Sequence, residues 1–164
     1  MMPLDATVMK HLHDRVNLLP VIAKADAMTA EELACFKKRI LEDIAENGIK
    51  LYNFPDLEDE EELKELGPLQ ERVPFAVVGS NQVQKLADGR ICRCRAYPWG
   101  TVEVENLKHS DFVALRQMII RFNLIDMIDV TRSVHYENFR LRQLSKLAST
   151  ITDRYLVCTR YYDT

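Results

Sequence analysis

Val16-Asn17-Leu18-Leu19-Pro20-Val21-Ile22-Ala23-Lys24-Ala25-Asp26 sets the class of fold. A short, mostly apolar run over residues 16–23, closed by polar and turn-forming residues, suits a strand buried on both faces, as in a parallel sheet. Pro20 weighs against a central place, because proline donates nothing to the ladder. A second run, Val73-Pro74-Phe75-Ala76-Val77-Val78, ends at Gly79-Ser80-Asn81 and reads the same way. Between them lies a helix. Thr29 and Glu32 have capping-box spacing, Leu33, Phe36, Ile40 and Ile44 recur at helical spacing, and Asn47-Gly48 supplies a left-handed stop.

Further out, residues 6–14 read as the end of a helix, with Val8, Met9 and Leu12 as its apolar stripe, and Ile49 to Tyr52 as a short strand. Residues 56–65 carry Asp56, Glu58, Asp59, Glu60, Glu61, Glu62 and Glu65 against Lys64 alone. That pattern favours a solvated loop or helix face over a site for a basic partner. Residues 82–106 change character: Asp88-Gly89 is a hairpin signal, Tyr97-Pro98-Trp99-Gly100 a second break, and Thr101 to Glu105 alternates with period two. The expectation is an antiparallel β-meander inserted in an α/β chain. Ser110 is placed to cap a helix carrying Phe112, Leu115, Ile119 and Phe122. A last helix is expected from about Val134 to Leu147, with Leu141, Leu144 and Leu147 on one side.

The chain has 164 residues, enough for one domain with its own core. With 47% hydrophobic and 29% charged residues and a net charge of −3, no global basic field argues for nucleic acid or an anionic membrane. No apolar stretch reaches the roughly 18 residues of a membrane span, and Met1-Met2-Pro3-Leu4-Asp5 lacks signal-peptide character. A cytoplasmic protein is expected. Cys35, Cys92, Cys94 and Cys158 show no metal-site spacing and read as reduced thiols; His11-x-His13 reads as ordinary helix surface. No metal site is expected in the chain.

Chemistry enters at Ala23-Lys24-Ala25-Asp26, a variant of the N-K-x-D element directly after a strand. A carboxylate there accepts from N1–H and the N2 amino group of guanine, an arrangement of donors that adenine lacks. Leaving that carboxylate unpaired against the wrong base is costly, so one aspartate discriminates strongly. The lysine stem can lie along the base with its ammonium in water. Open α/β sheets bind ligands at such strand ends, and Gly79, ending the second strand, allows close backbone approach to a base.

The run Arg95-Ala96-Tyr97-Pro98-Trp99-Gly100-Thr101-Val102-Glu103-Val104-Glu105-Asn106 resembles the segment that distinguishes septins from other P-loop GTPases. The likeness continues in His109-Ser110-Asp111-Phe112, in Leu115-Arg116 with Met118, Ile120 and Arg121, and in Val134-His135-Tyr136-Glu137-Asn138. Upstream, Pro3-Leu4-Asp5, Leu12-His13 and Val16-Asn17 also fit, so the resemblance spans Pro3 to Leu147. It implies the C-terminal half of a P-loop GTPase-like (Ras-like) sheet-and-helix domain. It further implies that Lys24 and Asp26 contact guanine, that Gly79 contacts the base and that Arg95 packs against it. Trp99 and His109 match residues of the interface formed across the nucleotide pocket, and the last helix matches an element of a second, end-to-end interface. From the residues alone, Trp99 reads as a core or turn aromatic, Arg95 with Arg90 and Arg93 as a solvated strand face, and His109 as a helix-start histidine.

The sequence contains no G-x-x-x-x-G-K-[ST] run and no D-x-x-G element. Residues 1–147 are therefore expected to be part of a septin-type G domain without P-loop or switch regions, with the Mg²⁺ site in an upstream half. Residues 148–164 are expected to be a divergent tail without heptads. Cys94 stands where the family has glycine, and Cys92 replaces an aliphatic residue. The resemblance implies a GTP- or GDP-binding cytoskeletal subunit that joins other septins in filaments at the cell cortex or division site, with roles in cytokinesis. Membrane association and slow GTP hydrolysis would belong to a longer parent, and this chain alone is expected to be inactive. Two alternatives stand beside this reading: a form that docks on septin filaments without nucleotide and modulates assembly, and an active GTPase.

Overall fold

The computed structural model of the chain describes residues 1–55, 60–85 and 89–147. Two parallel strands, β1 (Val21–Ala23) and β2 (Phe75–Val77), pair in the register Val21↔Phe75, Ile22↔Ala76 and Ala23↔Val77. Helix α1 (Pro3–Leu12) precedes β1, and α2 (Ala30–Glu46) and α3 (Glu60–Gln70) lie between the strands in sequence. The meander is antiparallel, in the order β3 (Val83–Lys85), β4 (Ile91–Tyr97) and β5 (Gly100–Glu103). Helix α4 (Phe112–Arg116) runs on into a π-helical stretch, Gln117–Phe122. Then α5 (Leu124–Val130) continues through a second π-helical stretch, Thr131–Tyr136, into helical residues 137–147.

The period of two along β2 divides the core between the two sheet faces. Phe75 packs with Leu66 and Leu69 of α3 and with Ala114 and Met118, while Val77 borders the same cluster. Ala76 and Val78 pack with Ala25 beneath Leu33 of α2 and Val102 of β5, tying the parallel pair to the meander. On the α2 side, Ile22 joins Ile40, Ile44 and Ile49. The capping box of α2 forms as expected: Thr29 Oγ1 accepts from Glu32 N–H at 3.3 Å, and Glu32 Oε2 accepts from Thr29 N–H at 2.9 Å. Gly48 takes φ 63° at the helix end, a conformation that glycine adopts without steric cost.

Several expectations are corrected. The first strand is confined to the residues after Pro20 and is covered on one face only: Ile22 is 7% exposed and Val21 44%. The α3 and α4 residues of the opposite face pack on β2 instead. Residues 49–52 make no strand ladder; Tyr52 N–H donates to Leu18 C=O, and Lys50 N–H to His13 Nδ1. The helix at 6–14 is Pro3–Leu12, and its Val8 and Leu12 are exposed while Met9 borders the Ile22 cluster. The last helical segment starts well before Val134, at Leu124. Glu105 lies beyond the end of β5. Asp88 and part of the acidic run lie outside the described residues, as does the tail.

Ser110 does more than begin a helix. Its Oγ accepts from Phe112 N–H at 3.2 Å and from Val78 N–H at 3.0 Å, while Asp111 holds the N-cap position. Asp111 N–H donates to Ala76 C=O at 2.7 Å, and its Oδ2 accepts from Ala76 N–H at 2.9 Å. Ser110 and Asp111 thus satisfy polar groups along the edge of β2 away from β1, where unpaired buried amides would be costly.

Candidate functional site

Parallel pairing of β1 and β2 sets the two strand ends side by side, which brings the turn after Ala23 next to the turn after Val78. There a cavity of ≈ 590 Å³ is lined by Lys24, Gly79, Ser80, Gln82, Arg95 and Tyr97, among others. Three residues singled out from sequence, Lys24, Gly79 and Arg95, therefore share one wall system. Lys24 adopts φ 55°, ψ 43°, a left-handed conformation that is unfavourable for a residue with a side chain. It turns the chain sharply into a short 3₁₀ helix, Ala25–Ala27, which carries Asp26.

Asp26 stands behind the cavity wall. Its side chain is 2% exposed and both oxygens are engaged. Arg95 Nη1 donates to Oδ1 at 3.0 Å, and Tyr97 Oη donates to Oδ2 at 2.6 Å. Arg95 and Tyr97 reach the same carboxylate because residues i and i+2 of β4 project from one sheet face. The bond to Asp26 raises the Tyr97 phenol above its ordinary pKa; desolvation and the carboxylate charge add to this, and Arg95 opposes it. The Arg95 guanidinium also lies 5.5 Å from the centroid of the Tyr97 ring.

The cavity thus has a carboxylate behind one wall and, at the adjacent strand end, a glycine where an added Cβ would meet nothing within 4 Å. Because Arg95 and Tyr97 hold its two oxygens, a ligand reaches the Asp26 carboxylate only when one of them moves aside.

Of the two residues matched to an interface, Trp99 is 72% exposed and stacks on Tyr97 with ring centroids 4.7 Å apart and planes at 5°. The tight turn Pro98-Trp99 between β4 and β5 presents it outward. His109 is exposed, and its Nδ1 accepts from Glu103 N–H at 3.1 Å, so it braces the end of β5. Neither lines the cavity. In the last helical segment Leu141, Leu144 and Leu147 are all exposed. Both α5 and the π-helical stretch after it are tied to the loop before β1: Asn17 Nδ2 donates to Met127 C=O at 2.9 Å, and Asn17 Oδ1 lies 3.0 Å from His135 Nε2.

Two features went unassigned in the sequence. Tyr97 was legible only as part of the Tyr-Pro-Trp run, although its i, i+2 relation to Arg95 was the available signal. The second is the cluster at Asp111, where Arg72 Nη1 approaches Oδ1 at 2.6 Å and Lys37 Nζ approaches Oδ2 at 3.0 Å. Burial alone would raise the Asp111 pKa, but the Ala76 N–H, Lys37 and Arg72 together hold it below 3.8. No sequence spacing links these positions.

A family model described as Septin matches residues 1–153. Protein peanut of Drosophila melanogaster is 57% identical over 149 residues, covering 90% of this chain and 28% of that protein. Septin-4 of Homo sapiens is 48% identical over 152 residues, covering 91% and 32%. Septin-2A of Xenopus laevis is 49% identical over 147 residues, covering 88% and 41%. The chain thus spans well under half the length of these relatives. Among solved structures, the septin GTPase domain from Chlamydomonas reinhardtii superposes with a TM-score of 0.69 at 27% identity, covering 85% of this chain and 54% of that one.

Proposed function

The chain belongs to the septin family, and from that premise we propose that it supplies the base-recognising side of a guanine-nucleotide site in a filament-forming subunit. Asp26 reads N1–H and the N2 amine, Lys24 lies along the base, Gly79 admits the base to backbone contact, and Arg95 packs on it once released from Asp26. The observation that carries this reading is the convergence of Lys24, Gly79 and Arg95 on one cavity at the ends of two parallel strands, with the Asp26 carboxylate behind it. Residues 1–147 act as part of a septin-type G domain. Phosphate and Mg²⁺ ligation is assigned to no residue of this sequence, which has no G-x-x-x-x-G-K-[ST] run. GTP turnover is accordingly not assigned to the chain by itself.

The test is a titration of the chain with GDP and ADP, observed by nuclear magnetic resonance so that weak binding is seen. GDP is expected to bind more tightly than ADP, and Asp26→Asn to reduce the preference by about 10- to 100-fold. Equal affinity for both nucleotides, or a preference that survives Asp26→Asn, rejects the assignment.

Assembly with other septin subunits runs through the exposed Trp99, through His109 and through the last helical segment, and places the parent protein in filaments at the cortex or division site. The exposure of Trp99 also supports a second reading, docking on septin filaments without nucleotide. Co-sedimentation with filaments in nucleotide-free buffer, abolished by Trp99→Ala, favours that second reading. Co-sedimentation untouched by Trp99→Ala removes Trp99 from both.

A further inference from the structure

The two groups that cover Asp26 are unequal. The Arg95 side chain is 33% exposed and sits on a flexible stem, so water can take over its guanidinium when it leaves. The Tyr97 ring is instead held flat against Trp99, with its hydroxyl donating to Oδ2 at 2.6 Å while Arg95 donates to Oδ1 at 3.0 Å. A carboxylate offers about four acceptor positions. Both side chains line the cavity, but Tyr97 can stay on Oδ2 while a base donates to both oxygens, whereas the mobile Arg95 is the one free to give up Oδ1.

Building on the base-reading role of Asp26, we infer that Tyr97 is the positioning residue of that carboxylate and that Arg95 is its placeholder. Tyr97 fixes the carboxylate plane through Oδ2. Arg95 satisfies Oδ1 in the empty site and gives it up to the base. Without the Tyr97 hydroxyl the carboxylate turns freely about a broad, roughly two-fold torsion, and the paired alignment with N1–H and N2–H is lost. The N2 contact depends most on that alignment, because it requires the second oxygen in the plane of the base.

The experiment compares GDP with inosine 5′-diphosphate, which lacks the N2 amine, for the wild-type chain, Tyr97→Phe and Trp99→Leu. Phenylalanine keeps the ring and its stack on Trp99, the only tryptophan in the sequence, so unchanged tryptophan emission verifies that the fold and stack persist. Tyr97→Phe is expected to reduce the GDP-to-inosine preference by about five- to tenfold. Trp99→Leu, which unpins the ring but keeps the hydroxyl, is expected to reduce it less. In the Asp26→Asn background, Tyr97→Phe is expected to change nothing further. An equal loss of affinity for both nucleotides marks a merely structural tyrosine and overturns the inference, as does an unchanged preference. A wild-type chain that does not distinguish GDP from ADP rejects the base-reading role of Asp26 itself, and the role of Tyr97 falls with it.

Discussion

Replacing Asp111 tests how the sheet is closed. The side chain is 9% exposed and accepts from three donors: Ala76 N–H, Lys37 Nζ and Arg72 Nη1. Alanine removes the acceptor of all three. Lys37 and Arg72 are 22% and 34% exposed, so both can turn to water, and each lost pair costs no more than about 1 kcal/mol. The Ala76 N–H has no such escape, because Ala76 is 3% exposed; a buried unpaired amide costs about 1–3 kcal/mol. Asp111→Ala should therefore destabilise by about 2–4 kcal/mol, a large share of the roughly 5–15 kcal/mol of a typical domain. Asp111→Asn retains an acceptor for Ala76 and gives up the charge, so about 1 kcal/mol is expected. Urea unfolding followed by circular dichroism measures both, with an unchanged slope required for comparison. If Asp111→Ala lies within about 0.5 kcal/mol of the wild type, or if asparagine is as damaging as alanine, the sealing of β2 by this side chain is wrong.

Three further outcomes follow from the same geometry. Phe75→Ala, at a residue with no exposure, should cost about 3–5 kcal/mol in urea unfolding. Lys24→Gly relieves a left-handed residue and should leave stability equal to or up to about 1 kcal/mol above the wild type, whereas Lys24→Val at the same φ should lower it. Because the folded-state pKa of Asp111 is lowered, its contribution is fully present above the unfolded value of 3.8 and declines as pH falls below it. Asp111→Asn should thus flatten the acid limb of a stability–pH profile below about pH 4, and an unaltered limb excludes Asp111 as its source.

Local signals were legible where local physics acts alone. The capping box at Thr29 and Glu32, the glycine stop at Gly48 and the turn at Pro98-Trp99 all formed as their residues require. Boundaries failed where neighbours decide. The run from Val16 to Ala23 became a three-residue strand because a partner strand lies beside only its last residues. Helical spacing named Phe112, Leu115, Ile119 and Phe122; Leu115 and Phe122 do border the core, but its fully buried positions are Ala114 and Met118. There the chain passes into a π-helical stretch, where the period of 3.6 residues no longer holds.

The sequence by itself determined the family, through the run from Arg95 to Asn106, and named Lys24, Asp26, Gly79 and Arg95 as one set. Such matches record residue types in order, and order survives without any knowledge of distance. Only the tertiary structure decided how that set is used. It placed Lys24, Gly79 and Arg95 on one cavity, withdrew Asp26 behind Arg95 and Tyr97, and left Trp99 outside on the Tyr97 ring. The two bonds that cover Asp26 join residues 69 and 71 positions apart. A contact at that range depends on strand pairing and packing across the whole sheet, and no local pattern in the chain encodes it.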